Sequence, residues 1–149
     1  MKIALICSTG GHLLEMMNLK SAWQKHDRFF VTFPLEDART LLEGERVFWA
    51  YHPTNRSVKN LVRNWFLAWR IMLRERPDAV VSTGAGIAVP FIFVAQILRI
   101  RTAYLECITR IHSVSISGRI VLPVVGRFFG QWEELTKRHK RIHFNGRNL

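Results

Sequence analysis

Cysteine is scarce in this chain: two residues in 149, Cys7 and Cys107, both in strand-like apolar runs. That excludes a disulfide-stapled scaffold and fits a reducing compartment with buried thiols. No C-x-x-C pair offers a structural metal centre. Acidic residues are half as many as basic ones, 11 against 22, and the formal net charge is +11. Such an excess implies an anionic partner: nucleic acid, anionic lipid headgroups or a phosphate-bearing substrate. Long hydrophobic runs are missing as well. Ile87–Ile100 (IAVPFIFVAQILRI) is apolar for only about three turns, whereas a membrane span needs about 18 residues or more. The N-terminus has no secretory h-region, because Lys2–Cys7 breaks at once into Ser-Thr-Gly-Gly. Neither repeats, nor low-complexity tracts, nor a linker interrupt the chain, so 149 residues read as one domain, 1–149.

What is present begins with MKIALICSTGGH. Lys2–Cys7 predicts a buried strand, Gly10 and Gly11 a sharp turn, and Leu13–Trp23 a helix. A strand, a glycine turn and a helix N-terminus make a crevice suited to anions, with His12 at its mouth able to move a proton near neutral pH. The full G-x-G-x-x-G spacing is absent, so a dinucleotide is only weakly indicated. The same structural pattern also describes a plain strand-to-helix turn with His12 as a surface residue.

Further strands are predicted at Arg28–Phe33, Val47–Tyr51, Ala79–Ser82 and Arg101–Glu106. A short helix or turn is expected at Asp37–Leu42 and long helices at Ser57–Arg74 and Ile87–Leu98, with Asn55 or Ser57 capping the first of these two. Strands alternating with helices predict an α/β fold: a Rossmann-like parallel sheet with helices on both faces. Ser113–Gly118 reads as a flexible polar loop, and Ile120–Phe129 and Ile142–Phe144 as further strands.

Three other segments bear chemistry. Thr83-Gly84-Ala85-Gly86 is a second glycine loop opening a helix, so both loops should meet at the carboxyl edge of one sheet, where open α/β sheets bind ligands. Glu106 ends a strand at that edge, as a base or a hydroxyl acceptor, and Arg110 is placed to pair with phosphate; a structural ion pair is the plainer reading. In Ser57–Arg76 the aromatic stripe includes Trp65 and Trp69, flanked by Arg63 and Arg70, the composition of a helix lying in a membrane interface. Packing of that stripe on the sheet is the alternative. Trp132, near the C-terminus, is a candidate partner anchor or part of a packed terminal helix.

Taken in order, Thr9-Gly10-Gly11-His12 and Thr83-Gly84-Ala85-Gly86 with Pro90 resemble the two glycine loops of MurG-type glycosyltransferases. Leu105-Glu106-Cys107-Ile108-Thr109-Arg110 and Gln131-Trp132-Glu133-Glu134-Leu135 resemble more narrowly the PssD/CpsF proteins of bacterial exopolysaccharide assembly. Those are similar to the acceptor-side subunit of the two-part N-acetylglucosamine transferase of asparagine-linked glycan synthesis. The resemblance implies the N-terminal, acceptor-binding half of a GT-B enzyme, with the donor-binding half on a separate subunit of the PssE/CpsG type. It implies inverting transfer from a nucleotide-sugar to a polyprenyl-diphosphate-linked saccharide in exopolysaccharide or capsule synthesis. No cofactor is implied, the nucleotide-sugar being a substrate held mainly by the partner, and the lack of an Asp-x-Asp motif suits a reaction that needs no metal.

By the same resemblance His12 is the expected base, with Glu106 its rival or orienting partner. Thr9, Gly10, Gly11, Thr83, Gly84, Gly86 and Arg110 are the expected acceptor and phosphate contacts. Eukaryotic relatives carry an N-terminal anchor. A first strand starting at Lys2 departs from them, so peripheral contact with an anionic surface, on the cytoplasmic face of the plasma membrane, is expected. A basic nucleic-acid-binding module and a small-nucleotide-binding Rossmann protein are the competing readings, but no nucleic-acid motif appears and no nucleic-acid partner is expected.

Overall fold

The computed structural model describes residues 1–54 and 56–147. Seven parallel strands form one sheet: β1 (Lys2–Ile6), β2 (Asp27–Thr32), β3 (Val47–Trp49), β4 (Ala79–Ser82), β5 (Arg101–Leu105), β6 (Arg127–Phe129) and β7 (Ile142–His143). Their spatial order is β3-β2-β1-β4-β5-β6-β7. The chain therefore builds outward from β1 to β3, returns across the sheet, and builds outward again from β4. The reversal lies between β1 and β4, which run in register with Ile3 opposite Ala79 and Ile6 opposite Ser82. A crevice opens at the carboxyl ends of such strands, because the connections on either side diverge to opposite faces.

The helices are α1 (Gly11–Asn18), α2 (Lys20–Trp23), α3 (Glu36–Leu41), α4 (Val58–Glu75), α5 (Ala88–Ile97), α6 (Ile116–Val121) and α7 (Glu133–Arg138). Side chains alternate across β1 with the strand period of two. Ile3, Leu5 and Cys7 pack with Leu13, Met16 and Trp23 on one face, whereas Ala4 and Ile6 pack with Ala68, Met72 and Phe91 on the other. Burial pushes the Cys7 thiol up to about 12, which leaves it an inert apolar group. On the α5 face the core continues through Tyr104, Val121 and Phe128. On the opposite face Ala103, Leu105 and Phe129 are only partly covered and, with Leu19 and Ala22, border a second cavity of about 350 Å³.

The α/β architecture predicted from alternating segments is the one observed. Three local expectations are corrected. The Leu13–Trp23 helix breaks at Leu19 into α1 and α2. Ser113–Gly118 is not a flexible loop: Ser115 caps α6 by accepting the Gly118 N–H at 3.0 Å. Ile120–Phe129 is not one strand, because its first residues finish α6 and only Arg127–Phe129 joins the sheet. Ser57 caps α4 by accepting the Asn60 N–H, and Asn55, the other expected cap, lies outside the described residues.

Asn64, fully buried on α4, ties that helix to the end of β3. Its Oδ1 accepts the Tyr51 N–H and its Nδ2 donates to the Tyr51 carbonyl, both at 2.9 Å. Replacing it by Ala leaves two backbone groups without partners, so Asn64→Ala is expected to lower unfolding stability by about 1–3 kcal/mol in urea titration. A loss under about 0.5 kcal/mol, the range of ordinary surface changes, would show the tie to be dispensable.

Candidate functional site

A cleft of about 550 Å³ lies at the carboxyl edge of the sheet, over the β1–β4 reversal. The β1–α1 turn contributes Ser8, Thr9 and His12, and the β4–α5 turn contributes Ala85 and Gly86. Glu106, Cys107, Thr109 and Arg110 follow β5, and Ser115 to Ser117 begin α6. The cleft thus brings together five of the residues expected from sequence: Thr9, His12, Gly86, Glu106 and Arg110. It also gathers Phe33, His52, Pro53 and Thr54, which sequence reasoning passed over; the adjacent His-Pro pair was the available signal.

The contacts of His12 fix which ring nitrogen donates. Its Nδ1 lies 2.7 Å from the Thr83 carbonyl oxygen, and Thr83 Oγ1 donates back to the His12 carbonyl at 2.6 Å. A carbonyl only accepts, so Nδ1 carries a proton, and in the neutral ring the lone pair sits on Nε2. That is the tautomer a proton acceptor needs. Gly84 makes room for it: at φ +114°, a Cβ there would sit 3.1 Å from the imidazole and 3.2 Å from the Tyr104 hydroxyl.

Glu106 is engaged otherwise. It is 1 % exposed; Oε1 accepts the Cys107 N–H at 3.0 Å, and Oε2 accepts both the N–H and the hydroxyl of Ser115 at 2.9 Å. Three donors hold its carboxylate against the start of α6. Both of its oxygens are thereby engaged within the cleft wall.

The other contacts expected from the glycine loops divide. The Gly10 N–H is taken by Asp37 Oδ2 at 2.7 Å and the Gly84 N–H by Ser82 Oγ at 3.1 Å, so neither amide is available to a phosphate. Gly11 and Gly86 retain N–H groups without an internal acceptor among the described residues, and Thr83 acts behind His12. The Arg110 N–H donates to the Cys107 carbonyl at 2.9 Å, while its exposed side chain has no carboxylate or hydrogen-bond partner among the described residues. Both oxygens of Glu106 are taken by internal donors, so among the lining residues Arg110 is the cation left to meet an anion.

Beneath it, Glu15 Oε1 accepts the Ile108 N–H at 2.8 Å, and Gln131 Nε2 donates to the Glu106 carbonyl at 3.1 Å. His12, Glu15 and Cys107 place one potential ligand atom each within 4.8 Å of one another. The first two already engage the Thr83 carbonyl and the Ile108 N–H, so hydrogen bonding accounts for their placement.

Two further expectations change. Trp65 and Trp69 are half-buried and pack against the core on the α4 side, Trp65 with its ring 6.1 Å from that of Phe93. The outward apolar ridge of α4 is instead Val58, Val62, Phe66 and Leu73, from 48 to 75 % exposed. Arg70 is exposed beside it, and Arg63 stacks on Tyr51 at 4.5 Å. Trp132 is half-buried: its Nε1 donates to the Ile108 carbonyl at 2.6 Å and Arg147 covers its ring at 3.9 Å. It clamps the Glu106–Arg110 loop.

Residues 49–148 match the family model described as oligosaccharide biosynthesis protein Alg14 like. The chain belongs to that family. The Alg14-like match begins at Trp49, so it takes in the second glycine loop, the Glu106–Arg110 segment and α6, and leaves the His12 loop to be judged on geometry. The Debaryomyces hansenii protein named UDP-N-acetylglucosamine transferase subunit ALG14 is 28% identical over 118 residues, 75% of this chain and 48% of that protein. The chain spans about half the length of the relatives it matches.

Among solved structures, Acinetobacter baumannii MurG superposes with a TM-score of 0.74 at 17% identity, covering 90% of this chain and 43% of that one. The Methanocaldococcus jannaschii UDP-GlcNAc 2-epimerase in complex with UDP-GlcNAc and UDP reaches 0.78 at 16% identity, covering 99% and 47%. These two likenesses bear out the Rossmann-like fold; the Alg14-like family rests on the sequence matches.

Proposed function

We propose that this chain is the acceptor-binding subunit of a two-subunit inverting glycosyltransferase, acting on a sugar acceptor linked to a polyprenyl diphosphate. The observation that carries the reading is the cleft itself, where His12, anchored through Nδ1, and the unpaired Arg110 side chain line one space. His12 Nε2 takes the proton of the acceptor hydroxyl. The oxygen then bonds to the anomeric carbon of the donor sugar, and the nucleoside diphosphate leaves with the electron pair of the broken glycosidic bond. Arg110 and the Gly11 and Gly86 amides meet the acceptor diphosphate. The donor is a UDP-sugar by analogy with the relatives' names, and an exopolysaccharide or capsule setting is the finer reading. No cofactor or metal enters this scheme.

The donor sugar is held by a second subunit of the PssE/CpsG type. Its surface on this chain is the partly uncovered strip of Ala103, Leu105 and Phe129, in preference to the engaged Trp132. Membrane contact is peripheral, on the cytoplasmic face, through the α4 ridge and its cations. No helix among the described residues is long and apolar enough to cross a membrane.

The test is turnover with and without the partner. The purified chain, given UDP-sugars and a lipid-diphosphate-linked saccharide, is expected to be silent or nearly so, and addition of the donor-binding subunit is expected to restore transfer. Robust turnover by the chain alone would overturn the two-subunit reading.

A further inference from the structure

We infer that α6 carries the subsite for the first part of the acceptor's hydrocarbon chain, an inference that rests on reading the cleft as a lipid-diphosphate site. Ile116 is 77 % exposed and Ile120 45 % exposed. Four residues apart, they share one helix face. Ile116 also lines the cleft, so this face starts inside the site and runs outward from it. Large apolar side chains left in water beside a site indicate a ligand or an interface, since monomers rarely keep them contiguous.

The helix is fixed in that position. Ser115, its cap, is bound through both its N–H and its hydroxyl to Glu106 at 2.9 Å. Gly118 faces inward against the same carboxylate, where a Cβ would collide with Glu106 Oε2. The isoleucines are therefore held outward by buried groups belonging to the cleft wall.

What they fit follows from their neighbours. The Arg110 side chain lies unpaired at the inner end, and Arg119 projects from α6 itself, its Nε bonded to the Val114 carbonyl at 3.2 Å. An open arginine in the cleft, followed by an apolar ridge, matches an amphiphile with a phosphate head and a hydrocarbon tail. Outward from the cleft, α6 packs on α5, and α5 packs on α4. All three helices expose apolar residues, Ile97 on α5 and Phe66 on α4 among them. A chain leaving the cleft over Ile116 and Ile120 thus emerges on the helical layer proposed to meet the membrane.

The experiment is a calorimetric titration of the full chain with inorganic pyrophosphate and with a 20-carbon isoprenyl diphosphate kept below its aggregation concentration. Wild-type protein is expected to prefer the isoprenyl probe by about 10-fold or more, from burial of apolar surface on the two isoleucines. The variant Ile120→Ser, altered at an exposed position outside the cleft lining, is expected to lose most of that preference while binding pyrophosphate as before. A variant that keeps the preference overturns the subsite, as does a wild-type protein that binds both probes equally. A variant that keeps the preference but no longer co-purifies with the donor-binding subunit assigns the ridge to that partner, again overturning it. Wild-type protein that binds neither probe removes the acceptor reading of the cleft, and the subsite with it.

Discussion

His12→Ala is expected to cut kcat of the reconstituted two-subunit enzyme by about 100-fold or more, the scale of a lost general base. The fold should be little affected, because His12 belongs to the first turn of α1 and its ring is about a quarter exposed. The reasoning is geometric. Nδ1 is committed to the Thr83 carbonyl, so Nε2 alone can accept a proton, and nothing in the protein has to rearrange for it to do so. Glu106→Gln makes the paired measurement. Its oxygens receive three donors, and an amide nitrogen in place of either oxygen would set donor against donor at Cys107 or Ser115. The expected result is a raised KM and lower thermal stability, with kcat much less affected than by loss of His12. Near-normal kcat in His12→Ala together with its abolition in Glu106→Gln would transfer the base to Glu106.

The sheet and its two glycine turns were legible because local pattern and global fold agree there. The β1 strand shows its apolar run and its stop, and Ala79–Ser82 matches β4 residue for residue. The α6 region was not legible. SVSISG reads as a loop by composition, and the helix exists because Glu106, nine residues before Ser115, fixes its cap. Sequence spacing cannot show that a carboxylate at the end of one strand will organise the next helix. The apolar run Ile120–Phe129 misled in the opposite sense: β-branched residues suit strands, but the core over β5 takes Val121 and Val125 from a helix and a turn.

The candidate site was legible in its chain-local parts and obscure in its long-range ones. His12, Glu106 and Arg110 stood out as chemical groups near predicted strand ends, and the sheet topology does assemble them. The partners that set their states could not be read in advance. Asp37 takes the Gly10 N–H from 27 residues away, and Glu15 takes the Ile108 N–H from 93 residues away. Neither acid stands in a sequence motif that marks it as the acceptor of a distant backbone amide. That is why Gly10 was credited with an amide free for phosphate, which the structure assigns to a carboxylate.

Membrane binding tests the corresponding correction on α4. Wild-type chain is expected to sediment with anionic vesicles at low salt and to be released largely in about 1 M salt, where the screening length falls to about 3 Å. The double variant Val62→Ser, Phe66→Ser is expected to bind about 30-fold more weakly at every salt concentration, because two outward side chains lose an apolar environment at about 25 cal/mol per Å². Phe66 is 69 % exposed and Val62 48 %, so neither change opens a hole in the core. Trp65→Ala with Trp69→Ala should act differently, lowering unfolding stability by about 2 kcal/mol or more through lost packing, since both rings rest on the core beneath. Helical periodicity showed that α4 had an apolar arc but could not show which part of it α5 would cover. If Val62→Ser, Phe66→Ser binds vesicles as wild type does, or if the wild type never sediments, the α4 ridge is not a membrane surface. Apolar contact is separated from charge attraction by the salt series: the serine substitutions lower binding by the same factor throughout, while Lys59, Arg63, Arg70 and Arg74 set only its slope.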